Sequence, residues 1–409
     1  MDVLELTRRL VAIDSQNPGP GEAEIVAYVA SWLRERDIDS TIVELHPGRP
    51  NVIATVERGP GRHLGLTGHL DTKPIGDAID SWHTDPFALT VEGDLAYGLG
   101  STDMKGAVAA MMIALDGFRR GDHGGSGTVS LILTADEEQG SDAGAQALTR
   151  AAKLPAVDGL VIGEPSGVDE PWESIFLVSR GICCFEIDID TTQGHSGLSP
   201  RLGRNATLIA ADLLHAFEDF RPPIDEPGRV PARPTVNPGM MINGGVCFGV
   251  WPGRCTVGME IRTVPGMVRD SVDRAITELV AATVGDDART TIRYADGSLG
   301  WMPATELDPQ HPMVAAAQRA ALSVLDRDLE PAAYPGGTDA AYFMGEAEVP
   351  TIVSLGPGWL SVAHGANEKV GVSQLDQATQ LYSRLINEFL VQPNPTERKS
   401  PDGQDCDGQ

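Results

Sequence analysis

The chain has 409 residues, of which 41% are hydrophobic, so it can bury a sizeable core. At about 100–200 residues per domain, this length favours two domains. The formal net charge of −27 and the pI of about 4.6 argue against nucleic acid and anionic membrane surfaces as partners.

The cysteines and the first residues indicate the compartment. The five cysteines form no C-x-x-C pair, which is typical of a reducing cytosol rather than of a disulfide framework. The sequence MDVLELTRRL lacks the basic and apolar regions of a signal peptide, and the most apolar helical run is too short to cross a bilayer. We therefore expect a cytoplasmic protein without membrane partners.

Strands and helices alternate through the first part of the chain. We predict helices at 2–13, 23–36, 106–118 and 142–152, and strands at 51–59, 63–71, 128–138 and 158–165. Such alternation predicts an α/β fold with a mixed, mostly parallel sheet flanked by helices. Ligands of such sheets bind beyond the carboxyl ends of the strands, where polar residues follow several of the predicted strands here.

The pattern changes near residue 179. Predicted strands at 182–190, 255–262 and 289–294 alternate with helices at 205–220 and 269–284, which indicates an inserted α+β domain of ferredoxin-like type. We predict a discontinuous catalytic domain (1–178 and 296–391), an inserted dimerisation or lid domain (179–295) and a disordered polar tail (392–409).

An ordered set of metal-type ligands lies at the edges of the predicted strands and loops of the first domain. Its members are His69, Asp103, Glu137, Glu138, Glu164 and His364. Imidazole and carboxylate ligands together suit Zn²⁺, with Co²⁺ or Mn²⁺ as alternatives. The set exceeds the needs of one tetrahedral ion, so we predict two divalent metal ions, an arrangement typical of hydrolases.

His69 and Asp71 are two residues apart at the end of a predicted strand, where such residues share a face. We expect the Asp71 carboxylate to accept the second imidazole N–H of His69 and to fix its tautomer. A histidine and an aspartate at this spacing can also form an ordinary surface or core pair, so the prediction depends on the rest of the ligand set.

Five local motifs carry a resemblance to a known family. They are GHLDTKP (68–74), GLGSTDMKG (98–106), TADEEQG (134–140), VIGEPSG (161–167) and AHGANE (363–368). With these motifs in this order, the chain from 3 to 390 resembles the M20 family of metallo-amidohydrolases and exopeptidases. It is most similar to the acetylornithine deacetylase and succinyl-diaminopimelate desuccinylase branch.

The resemblance assigns roles to the ligand set. It implies that Asp103 bridges the two metals and precedes a cis peptide bond, with His69 and Glu164 on one metal and Glu138 and His364 on the other. It also implies that a metal-bound water is the nucleophile and that Glu137 is the general base. Alternatively, Asp103 caps the following helix, and the two adjacent glutamates lie in a solvated loop.

Further roles fall on the second half of the chain. By resemblance, His195 reaches the active site of the other subunit of a homodimer and stabilises the oxyanion. We predict that the substrate carboxylate binds Arg262 and the loop containing Gly337 and Thr338, with Arg180 and Asn205 as weaker candidates. Interdomain ion pairing or helix capping are the alternatives for Arg180 and Asn205.

The predicted function is hydrolysis of the amide bond of a small N-acyl amino acid. A di- or aminopeptidase acting on a short peptide is the first alternative, and a non-catalytic metal-binding protein is the second. Leu99 and Gly249 stand where relatives often carry Arg and Asn. These two departures leave the ligand set intact, but they weaken an assignment to acetylornithine or succinyl-diaminopimelate as the substrate.

Overall fold

The computed structural model describes residues 1–122 and 125–391, and the chain divides into two compact units. The first unit comprises Met1–Ile175, Gln310–Glu330 and the chain from Ser354 onward, and the second comprises Phe176–Pro309 and Pro331–Val353. The tail predicted at 392–409 lies outside the described residues.

Helices alternate with strands of various lengths along the first unit. Its helices are α1 (Val3–Val11), α2 (Ala23–Arg34), α3 (Gly106–Arg120), α4 (Ala145–Arg150), α7 (Pro312–Leu325) and α9 (Val372–Leu390). Its strands are β1 (Ser40–His46), β2 (Arg49–Arg58), β3 (His63–His69), β4 (Thr90–Glu92), β5 (Leu95–Tyr97), β6 (Gly127–Thr134), β7 (Gly159–Ile162), β8 (Pro165–Gly167), β19 (Gly356–Trp359) and β20 (Lys369–Gly371).

A mixed sheet with the strand order β1-β2-β6-β3-β7 forms the centre of the first unit. Strand β3 runs parallel to both β6 and β7, whereas β2 runs antiparallel to β1 and β6. Because β3, β6 and β7 are parallel, the segments that follow His69, Thr134 and Ile162 leave the sheet at the same edge. The sequence places most of the predicted ligands in these segments or close to them.

Helices α3, α7 and α9 pack together in the first unit. Leu381, Leu385 and Phe389 of α9 are fully buried, at the three- to four-residue spacing of one helix face. Most of α3 is buried, and its first residue follows the Asp103 loop directly. The packed core therefore holds the start of α3 beside the predicted ligands. No helix in the described part of the chain is long and apolar enough to span a membrane.

The second unit contains an antiparallel sheet with the strand order β12-β14-β10-β15. The main elements are β10 (Gly181–Asp190), α5 (Ala206–Glu218), β12 (Thr235–Gly244), β14 (Arg254–Thr263), α6 (Arg269–Val284) and β15 (Arg289–Tyr294). The shorter ones are β9 (Ile175–Ser179), β11 (Gly194–His195), β13 (Val250–Trp251), β16 (Thr305–Glu306), β17 (Pro331–Ala333), α8 (Ala340–Phe343) and β18 (Thr351–Ile352).

The core of the second unit lies between this sheet and the helices α5 and α6. The predicted strand at 182–190 is present as β10. Its side chains alternate, because Phe185, Ile187 and Ile189 are buried while the residues between them are only partly buried. The strands β16 and β17 both pair with β9, and so residues 296–309 and 331–353 belong to this unit rather than to the first, where the sequence placed them. The functional roles of the two units stay predictions.

Candidate metal centre

Asp103 lies between two imidazoles, one at each of its carboxylate oxygens. The Nε2 atom of His69 is 2.9 Å from Oδ1, and the Nε2 atom of His364 is 3.1 Å from Oδ2. The Asp103 carboxylate is buried, and the Asp103–Met104 peptide bond is cis, as the resemblance predicted. A carboxylate that offers opposite oxygens to two imidazoles has the arrangement of a bridging ligand.

Each imidazole also faces a second buried carboxylate. Glu164 Oε1 is 3.5 Å from His69 Nε2, and Glu138 Oε2 is 3.1 Å from His364 Nε2. The other oxygen of Glu138, Oε1, is buried and has no hydrogen-bond partner among the described residues. The structure therefore brings together all five predicted ligands in the two groups that the resemblance implied. These nitrogen and oxygen donors, of which only the His364 imidazole is exposed, fit a pair of divalent ions.

The electrostatics of the centre favour a cation at each group. Burial alone would lower the pKa of His364, but hydrogen bonds with Asp103 and Glu138 raise it to about 11. Burial alone would also lower the pKa of His69. Hydrogen bonds with the neighbouring carboxylates, the largest from Asp103, raise it well above the ordinary value. Burial and then the charge of Asp103 raise the pKa of Glu164 to about 7. These carboxylates therefore stabilise positive charge, which a divalent ion supplies in place of protons.

Glu137 and Glu138 follow β6 in a short 3-10 turn, after Asp136 in the left-handed conformation (φ 66°). Glu138 is buried and Glu137 is half-buried. One carboxylate oxygen of Glu137 lies within 4.8 Å of ligand atoms of His69 and Glu164. The geometry places a partly open carboxylate beside the ligands, which a general base requires. Its role stays a prediction.

The structure revises the predicted contact of Asp71 with His69. The Nδ1 atom of His69 is 3.0 Å from the backbone carbonyl of Asp71 and 3.5 Å from its carboxylate Oδ1. The carboxylate instead accepts the backbone N–H groups of Glu137 and Glu138, at 3.2 Å and 3.1 Å. The i, i+2 spacing predicts Asp71 beside His69, but it carries no information on the backbone donors of the turn after β6.

Asp71 also belongs to a buried polar network that the sequence motifs did not predict. The Asn17 amide donates to the Asp71 carboxylate and to Asp136, both at 2.9 Å. Arg49 donates to the side-chain oxygen of Asn17 at 3.2 Å and binds the buried carboxylate of Glu22 with two N–H groups. These contacts hold the loop that carries Glu137 and Glu138.

Glu368, the last residue of AHGANE, was also missed as a site residue. Its buried carboxylate accepts the backbone N–H groups of Gly100, Thr102 and Asp103, at 2.8, 2.9 and 3.0 Å. Burial and then the charge of Asp103 raise the pKa of Glu368 to about 8. The position in the motif could have indicated it, but only the fold shows that it holds the Asp103 loop.

We expect Glu368→Gln to weaken zinc binding by about 10–100-fold, because supporting partners of metal ligands have effects of this size. The amide keeps the volume, but its NH₂ group faces a backbone N–H and disrupts the Asp103 loop. Competition with a chromophoric chelator measures the affinity. Glu173→Gln is the matched control, since Glu173 also accepts three backbone N–H groups, from 168–170, in an exposed loop. Equal zinc affinity in the two variants would contradict this prediction.

In the second unit, His195 is exposed at the end of β11, and its Nδ1 accepts the backbone N–H of Gly197 at 3.1 Å. Asn205 caps α5, because its side-chain oxygen accepts the backbone N–H of Leu208 at 2.8 Å. This is the capping role named as the alternative to substrate binding. Gly249 has a φ of 89°, a conformation that favours glycine.

The other predicted substrate-binding residues also lie in the second unit. Arg262 pairs with Glu260, with Nε and Oε1 2.9 Å apart. The loop with Gly337 and Thr338 joins the Arg180 segment, and the Thr338 backbone N–H donates to Ser179 Oγ at 3.0 Å. Arg180 lines a cavity of about 650 Å³ whose lining residues include Arg233 and no carboxylate. Substrate binding by these residues stays a prediction.

A mixed α/β sheet with paired imidazole and carboxylate groups beyond its strand ends is the arrangement of a metallohydrolase. Residues 65–388 match the family described as Peptidase family M20/M25/M40. The match covers most of the chain, and the chain belongs to this family. The predicted resemblance, the α/β fold class and the prediction of an M20-type hydrolase are therefore confirmed.

Individual relatives are similar over almost their whole length. The chain is 28% identical to the probable succinyl-diaminopimelate desuccinylase of Staphylococcus epidermidis, covering 95% of this chain and 98% of the relative. It is 29% identical to the acetylornithine deacetylase of Photorhabdus laumondii, covering 96% and 98%. The M20 family metallo-carboxypeptidase Sso-CP2 of Sulfolobus solfataricus has the same fold, with a TM-score of 0.77 at 17% identity over 96% of this chain and 100% of that one.

Proposed function

We propose that the protein is a two-metal hydrolase that cleaves the amide bond of a small N-acyl amino acid or a related acylated amine. One observation carries the proposal: two imidazoles face the opposite oxygens of the single buried carboxylate of Asp103. His69 and Glu164 complete one group, and Glu138 and His364 complete the other. Zn²⁺ is the proposed ion, with Co²⁺ or Mn²⁺ as alternatives.

Two bound divalent ions would polarise the substrate carbonyl and lower the pKa of water, which is the chemistry that such centres supply. Glu137 takes the proton of the attacking water and returns it to the nitrogen of the leaving amine. The amide C–N bond breaks, and the products are a carboxylic acid and a free amine. Asp71 supports this step, since its carboxylate holds the backbone N–H groups of Glu137 and Glu138.

The proposed substrate class rests on the relatives and on the available cations. The relatives named above are a desuccinylase and a deacetylase, both at under 30% identity, so they support an N-acyl substrate without fixing its acyl group. Arg180 and Arg262 of the second unit offer guanidinium groups suited to a substrate carboxylate. Within residues 1–122 and 125–391, the buried Nε of Arg180 has no hydrogen-bond partner, so it has a donor to offer.

A substrate panel tests the proposed function. Zinc-loaded enzyme is incubated with N-acetyl, N-succinyl and N-formyl amino acids and with dipeptides, and release of the free amine is measured. The Glu137→Gln protein serves as the blank for contaminating hydrolases. Turnover of N-acyl amino acids above dipeptides supports the proposal, the reverse order favours a peptidase, and no turnover of any member contradicts both.

We further propose that the enzyme is a cytoplasmic homodimer. Strand β12 is an edge of its sheet, and Met240, Met241 and Ile242 on it are each about 60% exposed. An apolar edge strand of this kind can pair with a second copy of the chain. The four cysteines in the described part of the chain are free, which suits a reducing compartment.

Subunit complementation tests the proposed role of His195 at the partner's site. His195→Ala and Glu137→Ala proteins are each expected to be nearly inactive. Mixed under conditions of subunit exchange, they should regain activity, since a heterodimer has one site with both an intact base and a donated imidazole. Heterodimers isolated with two different affinity tags should reach up to half of the wild-type activity per dimer. Isolated heterodimers without recovered activity would show that His195 serves its own subunit or is structural.

A further inference from the structure

Lys73 places a positive charge directly on one of the proposed metal ligands. Its ammonium Nζ lies 3.3 Å from Glu138 Oε2 and also donates to the backbone carbonyl of Glu138. The same oxygen, Oε2, is 3.1 Å from His364 Nε2. Glu138 Oε2 therefore contacts both the Lys73 ammonium and the His364 imidazole.

The backbone around Lys73 is fixed, so the contact is built into the fold. The Thr72 backbone N–H donates to the carbonyl of Ser15 at 3.1 Å, and the Ile75 N–H donates to the Gln16 side chain at 2.8 Å. Asp71, two residues before Lys73, holds the backbone of Glu138. The ammonium and Glu138 are therefore joined through both the chain and the side chains.

The two groups of ligands differ in their contact with Lys73. Lys73 contacts the group of Glu138 and His364, and no ion pair of Lys73 with Glu164 occurs among the described residues. The Lys73 side chain is 32% exposed, whereas that of Glu138 is only 3% exposed. Water therefore screens the ammonium only partly from a cation at the buried carboxylate, and like charges at such short range repel.

We propose that Lys73 makes the two metal sites unequal, by competing with the metal ion for Glu138 and so weakening the site of Glu138 and His364. The inference rests on the two-metal function proposed above. In the metal-free protein the ammonium neutralises Glu138. When an ion binds there, the ammonium gives up this contact, and that loss lowers the affinity of this site alone.

Stepwise zinc affinities test the proposal. Metal-free wild type and three variants are titrated in competition with a chromophoric chelator: Lys73→Met, Lys73→Arg and Lys153→Met. Met removes the charge and keeps an unbranched side chain, Arg keeps the charge, and Lys153 is an exposed control. We expect Lys73→Met to bind the weaker of the two ions about tenfold more tightly, in the range seen for partners of metal ligands. The other two variants should match wild type.

A second background assigns the effect to one site. The His364→Ala variant lacks a ligand of the affected site. In this background, Lys73→Met should leave the affinity of the remaining ion unchanged, because the effect of Lys73 is coupled to the site that His364→Ala removes. Circular dichroism and the melting temperature confirm that the variants fold.

Two results overturn the inference. Unchanged or weaker binding of the second ion in Lys73→Met would show that Lys73 does not compete with the metal, although the two-metal function would survive. A single ion at saturation in wild type and in Lys73→Met would instead contradict the two-metal function itself, and this inference with it.

Discussion

Glu137→Gln is expected to keep both metal ions and to lose about 10²–10⁴-fold in kcat, the usual contribution of a general base. Glutamine keeps the shape of the side chain but cannot take a proton from water. The Glu137 backbone N–H still donates to Asp71, so the turn that carries Glu138 should persist. Initial rates on the best substrate of the panel, together with elemental analysis of the same protein, measure the two quantities.

Glu173→Gln is a suitable control, since it makes the same change at a carboxylate in an exposed loop. Its kcat should remain near that of wild type. A normal kcat for Glu137→Gln with full metal content would remove Glu137 from the mechanism. Loss of metal together with activity would show that Glu137 acts as a ligand, which its position near His69 and Glu164 also allows.

Asp103→Asn is expected to weaken binding of both ions by more than the roughly 10–100-fold that loss of a supporting partner costs. The reason is that Asp103 is the one carboxylate in the described part of the chain that faces both imidazoles, and an amide has one oxygen and no charge. Activity should fall to the detection limit at zinc concentrations that saturate wild type. Calorimetric titration with zinc measures the two affinities.

Asp116→Asn is the matched control, because Asp116 is also a buried aspartate but lies in α3 and pairs with Arg119 and Arg120. It should bind two ions with wild-type affinity. If Asp103→Asn lost only one ion and kept the other at wild-type affinity, Asp103 would not be a bridging ligand.

The sequence was sufficient to predict the fold class and the neighbourhood of the ligands, for a physical reason. His69 ends one apolar strand that is easily recognised, and Glu138 and Glu164 follow closely on two others. The three strands, β3, β6 and β7, are parallel. Parallel strands bring their carboxyl ends to one edge, so local patterns predict a long-range cluster. The motifs added His364 and Asp103, which lie in loops.

The residues that hold the ligand-bearing loops in place could not be predicted from local sequence patterns. Glu368 acts on backbone N–H groups about 265 positions earlier in the chain, and backbone donors leave no trace in side-chain patterns. Arg49 contacts Asn17, and Asn17 contacts Asp71, across segments whose approach depends on the packed fold. The short strands β16 and β17 lacked a clear period, so their pairing with β9 was also missed.

The central claim is that two metal ions held by this chain cleave an N-acyl amide. The most direct measurement adds Zn²⁺ stepwise to the metal-free protein and records both bound zinc and the rate of amine release from the best N-acyl amino acid. Activity is expected to reach its maximum only as the second ion per chain binds. Full activity with one ion per chain, or no hydrolysis with two, would contradict it.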